Sequence, residues 1–365
     1  MYNIKNKRRK TLKRTIKYIL FGFALIFSAS IFTSCSNNTD KLYIYTWSDY
    51  FDPEVIHQFE IENKCTVIID TFDSNEAAFA KLTAGATGYD IITPTSYIVP
   101  LMYKTGIITN FNMNLIPNVI TNFDSKYSKF LISTNFQYNV PYALSITGLM
   151  YRKDIIPNGF DIESHGWWAM TNSLFKQRVT IFNDHREIIG CTLKVCGYSV
   201  NSEKQKELND ALKIAKLWKR FSSKMDNEMY KTSIASSEML IAMGYNSDAM
   251  QVMSEDKNVG FIIPIQGTTC CFDEFCISAT SRNSILAHKF VNYMYRKEIA
   301  ARNVEYIFSI IPVKDIENIV NESMPNKSMA FPSEEILLRC ERLDELSDKG
   351  NEKYTKLWDK IKSSK

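Results

Sequence analysis

The sequence lacks the motifs of common enzyme classes and of metal sites. Its 365 residues contain no G-x-S-x-G elbow, no Walker phosphate loop and no H-E-x-x-H zinc motif. The four histidines are scattered without ligand spacing, and no Cys-x-x-Cys pair occurs. We therefore predict no catalytic activity, no metal and no cofactor.

The sequence also lacks an excess of basic charge outside its N-terminus. The whole chain has 44 Lys+Arg against 40 Asp+Glu, a net charge of +4, but eight of the bases and none of the acids lie in residues 1–34. The remainder has 36 bases against 40 acids, a net charge of −4. Nucleic-acid binding needs a concentrated basic surface, so no nucleic-acid partner is expected.

The apolar run near the N-terminus is too short to span a bilayer easily. It covers 14 residues, 19–32, whereas a transmembrane helix needs roughly 20. A basic stretch, a short apolar run and small residues after it are typical of a secretory signal, here residues 1–34. A permanent transmembrane anchor is the weaker alternative.

The segment that follows the apolar run carries a more specific signal. The stretch IFTSC at 31–35 resembles the bacterial lipobox, although Phe32 stands where Leu is usual. The resemblance implies that Cys35 is lipidated and that residues 35–40 form a polar tether. Stable anchoring needs more than one acyl chain, as bacterial lipoproteins have. An exported protein of the periplasm or cell envelope, anchored to a membrane by lipid, is expected.

Seven cysteines remain beyond Cys35, an odd number that cannot all pair within one chain. They are Cys65, Cys191, Cys196, Cys270, Cys271, Cys276 and Cys340. Most lie in apolar surroundings, so we predict that most are small buried hydrophobic residues. A structural disulfide is the less favoured alternative.

From residue 41 onward, strand and helix patterns alternate, which predicts an α/β fold. Strands are predicted at 42–45, 65–69 and 89–92, with one helix capped by Asp52 and another following Ser74. A second set of strands is predicted at 178–182, 239–243 and 259–263, beside a helix at 202–221 that a Ser202/Gln205 capping box would open.

These two sets predict two lobes with a ligand cleft between them. The first lobe would comprise residues 41–142 and about 273–316, and the second residues 143–272 and about 317–365.

Acidic and aromatic side chains follow the apparent strand ends, where open α/β sheets bind their ligands. The acids are Asp49, Asp184, Glu187, Asp248 and Asp273, and the aromatics are Trp47, Tyr50, Tyr97 and Tyr245. Several acids in one cleft repel one another, and a multivalent cation removes that repulsion. For any one acid taken alone, a helix cap or a solvated loop position is the simpler interpretation. The pair Asp184 and Glu187 also leaves open a secreted carboxylate-pair hydrolase.

Four stretches resemble the polyamine-binding receptors of ABC transporters. They are LYIYTWSDY at 42–50, DSNE at 73–76, GYDII at 88–92 and VPY at 140–142. The resemblance implies a two-lobed periplasmic-binding-protein fold of type II, which closes on putrescine or spermidine and docks on a membrane permease. A receptor of the same fold for another small solute is the alternative.

The resemblance also assigns ligand contacts along the chain. It implies that Trp47, Ser48, Asp49, Tyr50, Ser96, Tyr97, Asp184, Glu187, Tyr245, Asp248, Phe272 and Asp273 form the binding site. Three positions depart from the family pattern: Cys271 replaces an aromatic residue, Ser309 replaces a tyrosine, and the family's glutamine has no counterpart near Leu343. Phe272, Phe275 and Phe308 are candidates to supply a missing ring.

Overall fold

The computed structural model describes residues 40–133 and 135–364. The strands are β1 (Asp40–Thr46), β2 (Cys65–Thr71), β3 (Ile91–Ile92), β4 (Ile108–Thr109), β5 (Val140–Arg152), β6 (Val179–Ile181), β7 (Lys224–Met225), β8 (Ile241–Tyr245), β9 (Val259–Ile262), β10 (Thr268–Ser278) and β11 (Cys340–Arg342).

The helices lie between these strands and after them. They are α1 (Pro53–Asn63), α2 (Asn75–Thr83), α3 (Val99–Lys104), α4 (Pro117–Asn122), α5 (Ile162–His165), α6 (His185–Val195), α7 (Gln205–Phe221), α8 (Tyr230–Ala235), α9 (Asn246–Glu255), α10 (Ser284–Met294), α11 (Lys297–Ile307), α12 (Lys327–Ala330), α13 (Glu334–Leu338) and α14 (Asp348–Lys362). The alternation of strands and helices confirms the predicted α/β class.

Two long strands connect the two halves of the sheet. The strand order is β2-β1-β3-β10-β5-β8-β6-β7, with β4 and β11 beside β10 and with β9 beside β5. The β1–β3 and β6–β8 pairs are parallel, whereas β10 runs antiparallel to both β3 and β5. The β5–β10 pair has an irregular register between Asp273 and Glu274. Irregularities of this kind re-aim side chains and often lie beside functional sites.

The first helices begin where local chemistry predicts. Asp52 caps α1 by accepting a hydrogen bond from the Glu54 amide at 2.8 Å, and Pro53 occupies the first turn. Ser74 caps α2 by accepting a bond from the Ala77 amide at 3.1 Å. Both caps hold the helices just after the loops that follow β1 and β2.

The capping box predicted at Ser202 and Gln205 is wrong. Helix α7 begins at Gln205, and its N-cap residue Lys204 makes no side-chain cap. Ser202 Oγ instead accepts a hydrogen bond from the Lys204 amide at 3.2 Å and donates to Glu207. Ser202 therefore stabilises the turn that precedes α7 and does not cap the first turn of the helix.

Each half of the sheet has its own hydrophobic core. One core packs Ile44 and Phe59 against Phe275 and Phe290, and the other packs Leu149 and Ile241 against Trp167 and Trp218, among other residues. This separation is what a two-lobed fold requires, although the residue bounds of the lobes remain a prediction.

Most of the described cysteines are buried, as the sequence predicts. The buried thiols include Cys191, Cys270, Cys271, Cys276 and Cys340. Among the described residues, no helix has both the length and the apolar character of a membrane span. The predicted signal peptide and Cys35 lie outside the described residues.

Candidate functional site

A cavity of about 980 Å³ opens at the carboxyl ends of the strands. Ten of the twelve predicted site residues line it: Trp47, Ser48, Asp49, Tyr50, Tyr97, Asp184, Glu187, Tyr245, Asp248 and Asp273. A smaller pocket of about 300 Å³, lined in part by Glu62 and Arg296, contains none of them. The cavity therefore brings together side chains from widely separated parts of the sequence.

Asp273 on β10 is the acid on one wall of the cavity. Thr95 donates its hydroxyl hydrogen to Asp273 Oδ1 at 2.7 Å, and the Tyr50 hydroxyl donates to Oδ2. The Trp47 indole N–H is buried near the same carboxylate but outside hydrogen-bond geometry. Burial raises the pKa of Asp273 to about 6, despite the two hydroxyl donors. A cation placed at this carboxylate would reverse that shift.

Glu187 on α6 is a second buried acid in the cavity wall. Thr147 Oγ1 and Thr269 Oγ1 donate to its Oε2 at 2.7 and 2.5 Å. Burial, followed by repulsion from Asp184, raises the pKa of Glu187 to about 7. Both acids are thus held in place by neutral hydroxyl groups rather than by cations.

Asp184 lines the cavity and also caps a helix. Its Oδ1 accepts hydrogen bonds from the Arg186 and Glu187 amides at 2.7 and 3.1 Å, which makes it the N-cap of α6. The helix-cap interpretation therefore holds for Asp184, and the cap also fixes Glu187 one turn further on.

Asp248 on α9 already has a cation partner. Lys231 Nζ lies 3.1 Å from Asp248 Oδ1, and the Tyr230 hydroxyl donates to Oδ2. Asp49 differs in being exposed, and its backbone is left-handed with a φ of 52°, a conformation that aspartate tolerates better than most residues. The five predicted acids thus differ in their surroundings. Asp273 and Glu187 have hydroxyl donors and Asp184 caps a helix. Asp248 is ion-paired, and Asp49 is exposed.

The aromatic walls are built from both halves of the chain. Trp47 packs edge-on against Phe72 with ring centroids 4.5 Å apart, and Tyr245 packs against Phe182 at 4.7 Å. Tyr97 accepts a hydrogen bond from Asn75 Nδ2 at 3.0 Å and donates to Glu76 Oε1 at 3.2 Å. These contacts keep the rings at the cavity wall without a ligand.

Two predicted site residues, Phe272 and Ser96, are not on the cavity wall, which corrects their assignment. Side chains alternate along a strand, so Cys271 and Asp273 line the cavity while Phe272 points to the other face of β10, where it packs near Tyr127. Ser96 is fully buried, and its neighbour Thr95 reaches Asp273 instead.

The three departures from the family pattern all line the cavity. Cys271 packs with Leu343 and Val200 beside Tyr97, and Ser309 is buried in the wall. Of the three phenylalanines that were candidates to replace the lost rings, only Phe308 lines the cavity. Phe272 and Phe275 are fully buried in the hydrophobic cores.

Comparison with known proteins settles the family. A family model described as bacterial extracellular solute-binding protein matches residues 54–329. The chain belongs to this family. Because the family is extracellular, this solute-binding protein is exported from the cytoplasm, as the sequence predicts.

Characterised relatives match the solute-binding protein over most of its length. The putrescine-binding periplasmic protein SpuD of Pseudomonas aeruginosa is 27% identical over 338 residues, which cover 89% of this chain and 92% of SpuD. The spermidine/putrescine-binding periplasmic protein of Escherichia coli is 24% identical over 356 residues, 97% of this chain and all of that protein.

Solved structures confirm the two-lobed periplasmic-binding-protein fold with its cleft. The TpPotD lipoprotein of Treponema pallidum superposes with a TM-score of 0.80 at 27% identity, covering 88% of this chain and 99% of that one. The spermidine/putrescine transporter substrate-binding protein PotD of Streptococcus pneumoniae also gives a TM-score of 0.80, at 25% identity, covering 89% and 99% of the two chains.

Several cavity residues of the solute-binding protein escaped the sequence analysis. Asn75 and Glu76 belong to the DSNE motif that carried the resemblance, and both are hydrogen-bonded to the Tyr97 hydroxyl. Arg186 lies 5.9 Å from the Tyr97 ring centroid, and Lys231 lies beside Asp248. No sequence signal marks either cation, because each meets its partners only through the packing of different helices.

Proposed function

We propose that this solute-binding protein captures polyamines, putrescine or spermidine, in its cleft and delivers them to the permease of an ABC transporter. One observation carries the proposal: two carboxylates, Asp273 and Glu187, line the same cavity and accept their hydrogen bonds from hydroxyl groups rather than from cations. Neither has an ion-pair partner in the part of the chain that the structure describes. Carboxylates shielded from water without cations favour a ligand that brings its own positive charges.

The chemistry of a polyamine matches the wall of the cavity. Its ammonium groups form charge-assisted hydrogen bonds with carboxylates, which are about twice as strong as neutral ones. Its methylene spacers are covered by flat aromatic faces, which also attract cations by about 0.5 to 2 kcal/mol each. Trp47, Tyr50, Tyr97 and Tyr245 supply such faces in this cavity.

Binding without turnover is the second part of the proposal. Asp184 Oδ1 is engaged by two backbone amides of α6, so one member of the candidate carboxylate pair already serves as a helix cap. The relatives support the same reading, since SpuD is named for binding putrescine and PotD for carrying spermidine and putrescine. We therefore assign this protein a capture role and no catalytic activity.

We further propose how the protein is arranged at the membrane. Lipid attached to Cys35 would anchor it, with residues 35–40 as the tether. Lobes of residues 41–142 with about 273–316, and of 143–272 with about 317–365, would close over the ligand. The presence of two hydrophobic cores supports a division into two lobes, and β5 and β10 would run across the proposed boundaries near residues 142 and 272.

Isothermal titration tests the proposal directly. The purified protein is stripped of bound amine by a denature–refold cycle and titrated with putrescine and with spermidine at two salt concentrations. We expect one-to-one binding with a dissociation constant on the order of 1 µM or lower. Circular dichroism before the titration confirms that the protein has refolded.

Absence of heat with both amines, from a folded protein, would contradict the proposal. It would point to a different solute, with Cys271 and Ser309 as the residues that changed the site. Turnover of a glycoside by the pure protein would instead favour the carboxylate-pair hydrolase. Binding that persists equally at high salt would contradict the ionic basis of recognition.

A further inference from the structure

The acid on α9 is occupied by groups of the protein itself. Lys231 Nζ lies 3.1 Å from Asp248 Oδ1, and the Tyr230 hydroxyl donates to Oδ2. Lys231 also donates to Gln251 Oε1 at 3.3 Å. Lys231, Asp248 and Gln251 all line the cavity. Both oxygens of this carboxylate therefore have a donor before any ligand enters.

Lys231 brings the same chemical group that a polyamine would bring. Its side chain ends in a primary ammonium on a four-carbon stem, a compact point charge with three rotatable donors. The lysine and aspartate side chains are 36% and 26% exposed, so the pair sits in the wall with access to the cavity. A ligand ammonium at Asp248 would have to displace this lysine or lie beside its charge.

Two other acids of the wall offer a contrast. Asp273 and Glu187 each accept hydrogen bonds from two hydroxyl groups, and no lysine or arginine pairs with either among the described residues. They lie on different elements of the fold, Asp273 on β10 and Glu187 on α6. Of these three acids, Asp273 and Glu187 thus have no paired cation, whereas Asp248 already has one.

We propose that Lys231 is a specificity-determining residue, because it takes the place of a ligand ammonium at Asp248 and makes the cleft selective for diamines over triamines. The inference rests on the proposed function. A diamine places one ammonium at Asp273 and the other at Glu187. The third ammonium of spermidine finds Asp248 occupied by a group of equal charge.

A cycle of four proteins tests this proposal: the wild type, Lys231→Met, Asp248→Asn and the double variant, each titrated with putrescine and spermidine. Methionine keeps most of the lysine stem and removes its charge. In Lys231→Met, spermidine should bind at least about tenfold more tightly and putrescine should change by less than about threefold. In Asp248→Asn, both amines should bind more weakly, because Lys231 then faces the cavity unpaired.

The double variant gives the sharpest result, because it removes a neutral pair as a whole. We expect both affinities within about threefold of the wild type. A double variant as weak as Asp248→Asn would overturn the proposal, since it would mean that Asp248 itself contacts the ligand. An unchanged spermidine-to-putrescine ratio in Lys231→Met would overturn it as well, and this single variant decides the matter if Asp248→Asn does not fold.

Controls separate this proposal from the proposed function. Lys216→Met makes the same change of charge on the exposed face of α7, away from the cavity, and should leave the affinity ratio unchanged. Equal tightening of both amines in Lys231→Met and Lys216→Met would show a general charge effect and overturn the role of Lys231. If the folded wild type binds neither amine, the proposed function fails and this inference fails with it. If the wild type binds an amine but the cycle does not behave as described, only the role of Lys231 fails.

Discussion

Replacement of Asp273 by asparagine is expected to weaken polyamine binding and to stabilise the ligand-free protein at the same time. The change removes the negative charge and keeps the shape of the side chain. Thr95 and Tyr50, whose hydroxyls now donate to the carboxylate, retain a polar partner. The two effects have opposite signs because the charge serves the ligand and not the fold.

The loss of binding follows from the position of the acid in the cavity. An ammonium left in a desolvated site without its carboxylate costs about 2 to 5 kcal/mol. At about 1.4 kcal/mol for each factor of ten, this corresponds to a loss of roughly 30-fold to several thousandfold in affinity. The Asp273→Asn variant should therefore bind putrescine and spermidine at least tenfold more weakly at pH 7.5.

The gain in stability follows from the pKa of Asp273. Burial raises this pKa from 3.8 to about 6 in the folded protein, so the folded state binds the proton more tightly than the unfolded state. Ionised Asp273 therefore lowers the stability of the folded protein. This loss is absent below about pH 4, grows between about pH 4 and pH 6, and is complete above about pH 6. A shift of this size corresponds to at most about 3 kcal/mol, and rearranged hydrogen bonds offset roughly 1 kcal/mol of the gain.

Titration calorimetry and urea unfolding of the same preparations measure both effects. Unfolding at pH 4 and at pH 7.5 should show that the stability advantage of Asp273→Asn appears only at the higher pH. Asp359→Asn, on the exposed surface of α14, is the matched control. A change in affinity below threefold would refute Asp273 as a ligand contact. A loss of both affinity and stability in Asp273→Asn would refute the argument that the charge favours ligand binding and disfavours folding.

Three further predictions concern other acids and the anchor. Burial and Asp184 raise the pKa of Glu187 to about 7, and an ammonium needs its ionised form, so wild-type binding should weaken as the pH falls from 8 to 5.5. Glu187→Gln should bind more weakly at every pH with a flatter profile, and titrations that show the wild-type slope would contradict this role. Burial raises the pKa of Glu274 from 4.5 to about 8, and its only hydrogen bond from a described residue comes from Asn139 Nδ2 at 3.1 Å. The wild type should therefore lose stability as the pH rises from about 4.5 to about 8, by up to about 1.4 kcal/mol per pH unit. Urea unfolding of Glu274→Gln should show a smaller loss over that range, and parallel curves would argue against a buried neutral acid. Cys35→Ser should abolish incorporation of labelled fatty acid in the producing cell, whereas labelling equal to that of the wild type would exclude Cys35 as the lipidation site.

Local patterns predicted the elements that local chemistry controls. The caps at Asp52 and Ser74 were predictable because each depends on a side chain and an amide two or three residues away. The capping box at Ser202 failed for a related reason, since several polar residues compete for the same amides before α7. Predictions of this kind are decided within one turn of the chain.

Predictions about the cavity depended on the direction in which side chains point, and that direction is not set by the local sequence. Asp273 and Phe272 are adjacent in sequence, and only the pairing of β10 with β3 and β5 decides which of them faces the cavity. The same holds for Thr95 and Ser96, of which only Thr95 reaches Asp273. The sequence placed polar residues at the correct strand ends, but the predicted site included Ser96 in place of Thr95 and included Phe272 beside Asp273.

The sequence by itself determined the α/β alternation, the acidic character of the strand ends and the resemblance to a receptor family. These features depend on residue type and spacing, which are present in the chain before it folds. Only the tertiary structure decided which acids remain without a cation. Asp248 and Lys231 are 17 residues apart on different helices, and their ion pair exists because α8 and α9 pack side by side. Charge pairing depends on distance in space, and that distance is fixed only when the helices pack onto the sheet.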